Sequence, residues 1–148
     1  MQQVSSFPNA LRLNFPSTMA DVDEVSQQAR SFLLSHPSIP EPFSLLLALR
    51  EALTNAVKHG NRNNPDLSVE CLIRVCENDL VITIRDQGTG FDWQARTWTL
   101  PRPDNESGRG LAIIKACFDK IELNETGNEI TLRKMLGQAM QEAGSRSH

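Results

Sequence analysis

Leu80, Ile82, Ile84 and Asp86 share one phase of an alternating run, so the Asp86 carboxylate points toward the same layer as three aliphatic side chains. A carboxylate aimed there needs a partner. The amino group of adenine, a hydrogen-bond donor, would supply one. Gly88 and Gly90, in the run Asp86-Gln-Gly-Thr-Gly90, would let the backbone approach a flat base. Taken alone, the same residues also read as a turn after a strand. A second cluster, Ser107-Gly-Arg-Gly-Leu111, opens a helical pattern. Backbone N–H groups and the helix dipole favour an anion at such a start, and phosphate is the ligand they indicate. A flexible loop meeting a helix would have the same composition.

The third cluster lies on a helix expected over residues 42–59, with Gly60 as its C-terminal cap. At 100° per residue, Leu45, Leu49, Leu53 and Ala56 fall on one side. Glu51, Asn55 and Lys58 gather opposite, with His59 at the margin. By itself, this is also what a solvated polar face looks like.

Taken together, the three clusters resemble the signature of the GHKL superfamily of ATPases and kinases. Glu51-Ala-Leu-Thr-Asn55-Ala-Val-Lys-His59-Gly60 is similar to its N box, Asp86-Gln-Gly-Thr-Gly90 to its first glycine box, and Gly108-Arg-Gly110-Leu-Ala to its second. The resemblance runs from about Leu11 to Lys134 and looks most like the bacterial anti-sigma-factor serine/threonine kinases. It implies ATP or ADP with Mg²⁺ as cofactors. Under it, Glu51 is the general base that orients and deprotonates a partner's serine hydroxyl. Asn55 holds Mg²⁺ through its amide oxygen. Lys58 and His59 face the phosphates, although His59 serves equally well as a helix-end cap. Asp86 reads the adenine amino group beside Gly88 and Gly90. Gly108, Arg109, Gly110 and Leu111 form the phosphate end of a lid.

The implied function is phosphorylation of an anti-anti-sigma (STAS-type) antagonist, together with binding of a sigma factor, and the resemblance also suggests a homodimer. The alternative is a nucleotide-dependent protein-binding switch with little or no transfer. Glu51 and Asn55 favour the kinase, since a pure binder has no chemical need of a base. The second box lacks the further glycine seen in many sensor histidine kinases, and none of His36, His59 and His148 is a plausible phosphoacceptor. Both points argue against a histidine autokinase.

The elements that must position these residues follow from the spacing. Leu11, Leu13 and Phe15 alternate as a first strand, and Met19, Val22, Val25, Ala29, Phe32 and Leu33 recur as a helix over 19–35. Strands are expected at 68–76 and 80–86, a helix at 109–118, and strands at 120–124 and 129–134 around the turn Thr126-Gly-Asn128. The long segment 87–108, holding Trp93, Arg96, Trp98 and Arg102, reads as a lid. This order gives a two-layer α/β sandwich with a mixed, mostly antiparallel sheet and helices on one face. One domain over 1–137 is expected, followed by a polar tail at 138–148.

The 148 residues suit a single domain. A net charge of -3, with no basic stripe, makes nucleic acid a poor partner. The longest apolar stretch, 45–49, is far short of the ~18 residues of a membrane span, and the polar start carries no signal pattern. Cys71, Cys76 and Cys117 form no CxxC pair, which fits reduced, structural cysteines in a cytoplasmic setting.

Overall fold

The computed structural model describes residues 2–88 and 106–136, and for 106–111 the backbone course alone. Six strands form one sheet: β1 (Gln3–Phe7), β2 (Ala10–Pro16), β3 (Ser68–Cys76), β4 (Asp79–Arg85), β5 (Lys120–Leu123) and β6 (Glu129–Met135), in the order β1-β2-β3-β4-β6-β5. The register explains why one face is covered. Leu13 lies opposite Cys71, Cys71 opposite Ile84, and Ile84 opposite Ile130. Leu11, Ile73, Ile82 and Leu132 form a second such row. All eight are buried. The alternate rows carry Arg12, Thr83, Thr131 and Arg133.

Helix α1 (Met19–Leu34) starts at Thr18, whose hydroxyl accepts the Asp21 N–H at 3.0 Å. It buries Val22, Val25, Ala29, Phe32 and Leu33. Helix α2 (Pro42–Asn55) opens with proline in its first turn, where the missing N–H costs nothing, and buries Leu45, Ala48, Leu49, Ala52 and Leu53. It packs against both α1 and α3 (Glu106–Cys117). These apolar stripes and the covered sheet face make one continuous core. Two layers, helices on sheet, are the outcome.

The structure departs from the sequence expectations in four places. Strand β1 was not anticipated: its Gln3-Val-Ser-Ser-Phe7 side chains are exposed throughout, and it is held by pairing along the edge of β2. Every strand pairing among the described residues is antiparallel, not just most of them. The path from β2 through α1 and α2 returns β3 beside β2 in the opposite direction. Helix α3 begins at Glu106, three residues before the expected start. The cysteines also divide. Cys71 is buried in β3, and burial pushes its thiol up to about 12, whereas Cys76 at the end of that strand is exposed and Cys117 half-buried. Among the described residues no helix is long and apolar enough to cross a membrane.

Candidate functional site

The helix expected to run to His59 changes form at Asn55. Ala56–Gly60 is a π turn, closed by the Asn61 N–H donating to the Ala56 carbonyl at 2.8 Å. Such turns recur at functional sites. Widening the helix breaks the 100° phase, so Asn55, Lys58 and His59 do not share one environment. Asn55 is 4% exposed, Lys58 is exposed, and His59 is intermediate. Glu51, one turn earlier, is half-buried.

The π turn ends against the end of β4. Asp86, directly after that strand, is 4% exposed. A Cβ added to Gly60 would stand 2.2 Å from Asp86 Oδ2, and one added to Gly88 would stand 2.0 Å from the Gly60 carbonyl oxygen. Only glycine fits at Gly88 without moving backbone, whereas a side chain at Gly60 would displace the Asp86 carboxylate. Gly60 was expected to be a helix cap, and its tighter role as the floor beneath Asp86 was not visible in the sequence. The Gly88 N–H donates to Asp86 Oδ1 at 2.8 Å. Burial pushes the Asp86 carboxyl above its ordinary value, and the Gly88 hydrogen bond opposes that shift to a smaller extent.

Gly88→Ala brings its methyl against a backbone carbonyl that cannot rotate away. It is expected to destabilise the protein by about 1–3 kcal/mol, the usual cost of overpacking. A thermal melt beside an ADP titration should show a lower Tm together with weakened binding. An unchanged melt would mean that the Gly60–Gly88 contact is not this close.

The residue sequence reasoning missed is Asn61. It is 2% exposed, and its carboxamide donates to Ser17 Oγ at 2.6 Å and to the Ser68 carbonyl at 2.9 Å, while accepting the Gln87 N–H at 2.8 Å. It ties the ends of β2 and β4 to the start of β3. An asparagine just past a helix-ending glycine looks like ordinary turn chemistry, so no sequence signal separated it. Arg62 and Asn63 follow with φ of 52° and 59°, both left-handed.

A model of the histidine kinase-like ATPase domain matches residues 15–134. The chain belongs to that family. An anti-sigma F factor from Oceanobacillus iheyensis is 28% identical over 141 residues, covering 88% of this chain and 95% of its own length. A serine-protein kinase RsbW from Staphylococcus epidermidis is 32% identical over 100 residues, 61% of this chain and 63% of its own. The fold is shared with the histidine kinase domain of the Erythrobacter litoralis EL346 blue-light activated histidine kinase, with a TM-score of 0.50 at 20% identity. That likeness covers 66% of this chain and 46% of the kinase structure.

For this ATPase-family domain, the GHKL resemblance and the fold expected from it stand, and the family implies a nucleotide site. The structure brings Gly60, Asp86 and Gly88 to one junction where the π turn meets the end of β4, and it buries Asn55 at the end of α2, directly before that turn. Gly90 and lid residues 89–105 lie outside the described residues, as does the tail from 137. Gly108, Arg109, Gly110 and Leu111 fall inside the first turns of α3. Because that helix starts at Glu106, the Gly108 N–H is among the leading groups with no intrahelical partner, and those of Arg109 and Gly110 are not.

The junction also bears on magnesium. The Asn55 side-chain nitrogen is buried and has no hydrogen-bond partner. The two ends of a carboxamide are nearly equal in shape, so a turned amide sets its oxygen there as a free acceptor. Among the described residues no cluster of three His, Cys, Asp or Glu could hold a metal by itself. Mg²⁺ bound with phosphates needs only one or two protein ligands, and Asn55 fits that requirement.

Proposed function

We propose that this chain is an ATP-dependent serine/threonine protein kinase that phosphorylates an anti-anti-sigma antagonist and binds a sigma factor. The observation that carries the reading is a buried carboxylate, Asp86, just after β4, together with a buried carboxamide, Asn55, at the end of α2, whose side-chain nitrogen has no hydrogen-bond partner. Both are costly to the protein unless a ligand completes them. The names of the two relatives supply the partner classes: one is an anti-sigma F factor, the other a serine-protein kinase.

In this reading Asp86 accepts the adenine amino hydrogen, and Gly88 keeps the wall beside the base flat. Asn55 holds Mg²⁺, which neutralises phosphate charge when bound. Lys58 and His59 lie toward the phosphates, and the leading N–H groups of α3, with Gly108 and Arg109, face the terminal phosphate. Glu51 takes the proton of the incoming serine hydroxyl. Phosphoryl transfer asks mainly for positioning and charge neutralisation, so these few groups suffice. The protein would act in the cytoplasm, as a homodimer.

Transfer from γ-labelled ATP with Mg²⁺ into a lysate lacking this gene tests the proposal. One labelled protein, appearing with wild type and not with Glu51→Ala, is the expected result. Confirmed ATP binding with no transfer would replace the kinase by a nucleotide-dependent switch.

A further inference from the structure

We propose that Asn61 is the positioning residue for the base end of the nucleotide site, holding the Asp86–Gly88 segment where it can tell adenine from other purines. The inference rests on the reading of Asp86 as acceptor for the adenine amino group. Two successive backbone N–H groups after β4 make successive hydrogen bonds: Gln87 N–H donates to Asn61 Oδ1 at 2.8 Å, and Gly88 N–H donates to Asp86 Oδ1 at 2.8 Å. They belong to adjoining peptides, so shifting the first reorients the second and with it the carboxylate.

Asn61 is itself fixed at every polar atom. Its own N–H closes the π turn at Ala56, and both hydrogens of its carboxamide nitrogen have acceptors, Ser17 Oγ and the Ser68 carbonyl. Ser17 is 1% exposed and in turn donates to the Leu67 carbonyl at 2.8 Å. Gln87 repeats the bridge from the other side, its Oε1 accepting the Ser68 N–H at 2.6 Å. The carboxamide is therefore a rigid strut between the π turn, which supplies the Gly60 floor, and the peptide that carries Asp86. Its removal takes the acceptor from the part-buried Gln87 N–H, and that peptide is then free to turn toward water.

Discrimination is the property this strut should control. Inosine triphosphate carries a carbonyl where ATP carries the amino group, and a site built to hydrogen-bond that group rejects an analogue lacking it. The test measures the affinities of the full chain for ATP and for inosine triphosphate, each with Mg²⁺. Wild type is expected to prefer ATP, and Asn61→Ala to lose at least about fivefold of that preference. Ser17→Ala removes one hydrogen bond from the same carboxamide without touching Gln87. It should lower the Tm and keep the preference within about twofold, separating positioning from stability. An undiminished preference in folded Asn61→Ala overturns the inference.

Should that variant fail to fold, Asn61→Asp still offers Gln87 an acceptor while replacing the two donors by a carboxylate oxygen and adding a buried charge. It is expected to keep the preference, and loss there overturns the inference as well. A wild type indifferent to the two nucleotides overturns the base reading of Asp86, a failure distinct from that of Asn61.

Discussion

Glu51→Ala is expected to bind ATP as wild type does and to transfer its phosphoryl group roughly 10²–10⁴-fold more slowly, the range lost with a general base. Glu51 is half-buried on α2, one turn before Asn55, and stands outside the apolar core. Truncating it removes no core packing, so stability should change by no more than about 0.5 kcal/mol, as for an ordinary surface substitution. Binding stays because Asp86 and Gly88, read as holding the base, lie at the far side of the π turn, and Asn55, one turn further along α2, is left unchanged. Glu51→Gln sharpens the result. It keeps the shape and a hydrogen-bond acceptor for the serine hydroxyl but cannot take the proton. If orientation contributes as well as basicity, the glutamine variant retains more activity than alanine. Calorimetric titration with ATP and label transfer to the isolated antagonist give the two readouts. Transfer at the wild-type rate by either variant would remove Glu51 from the proposed mechanism.

The sequence carried the sheet well because its signal there is periodic. Leu11, Leu13 and Phe15 alternate, as do Leu80, Ile82 and Ile84, and the structure buries all six on one face. The same alternation put Asp86 in the apolar layer, and there it lies, with a raised carboxyl pKa. Strand β1 escaped because an edge strand needs only backbone hydrogen bonds, and Gln3-Val-Ser-Ser-Phe7 buries no side chain that would leave a pattern.

The polar face of α2 was only half legible. Uniform helical phase grouped Asn55 with Lys58, and the π turn separates them into buried and exposed residues. A change of helix type leaves no trace in residue spacing. Gly60 and Asn61 were hidden for another reason. Their roles are set by contacts with Asp86, Ser17, Ser68 and Gln87, residues from 7 to 44 positions away in the chain. No local pattern encodes such contacts.

Asp86→Asn should set function and stability against each other. Burial raises the Asp86 carboxyl pKa in the folded state, while the unfolded chain keeps a value near 3.9. Between those two values the folded protein binds more protons than the unfolded one. Stability contributed at this position is therefore present at low pH and falls as pH rises through the folded pKa. Above the folded pKa the nucleotide-free protein bears the whole penalty. Asparagine bears none of it and can still accept the Gly88 N–H, so the variant is expected to melt higher than wild type at pH 7.

That advantage should fade as pH falls toward the unfolded value of about 3.9, as the carboxyl becomes protonated in both states. The cost falls on the nucleotide. A neutral carboxamide gives up a hydrogen bond to a charged acceptor, worth about 1.5–3 kcal/mol, and ATP affinity is expected to fall roughly 10- to 100-fold. Wild-type affinity should weaken as pH drops through the raised pKa, and the variant's should stay flat. Melting curves and ATP titrations across pH 4–8 read both. A variant that melts lower at neutral pH would show that the carboxylate is compensated within the protein. Undiminished ATP affinity would show that it does not meet the base.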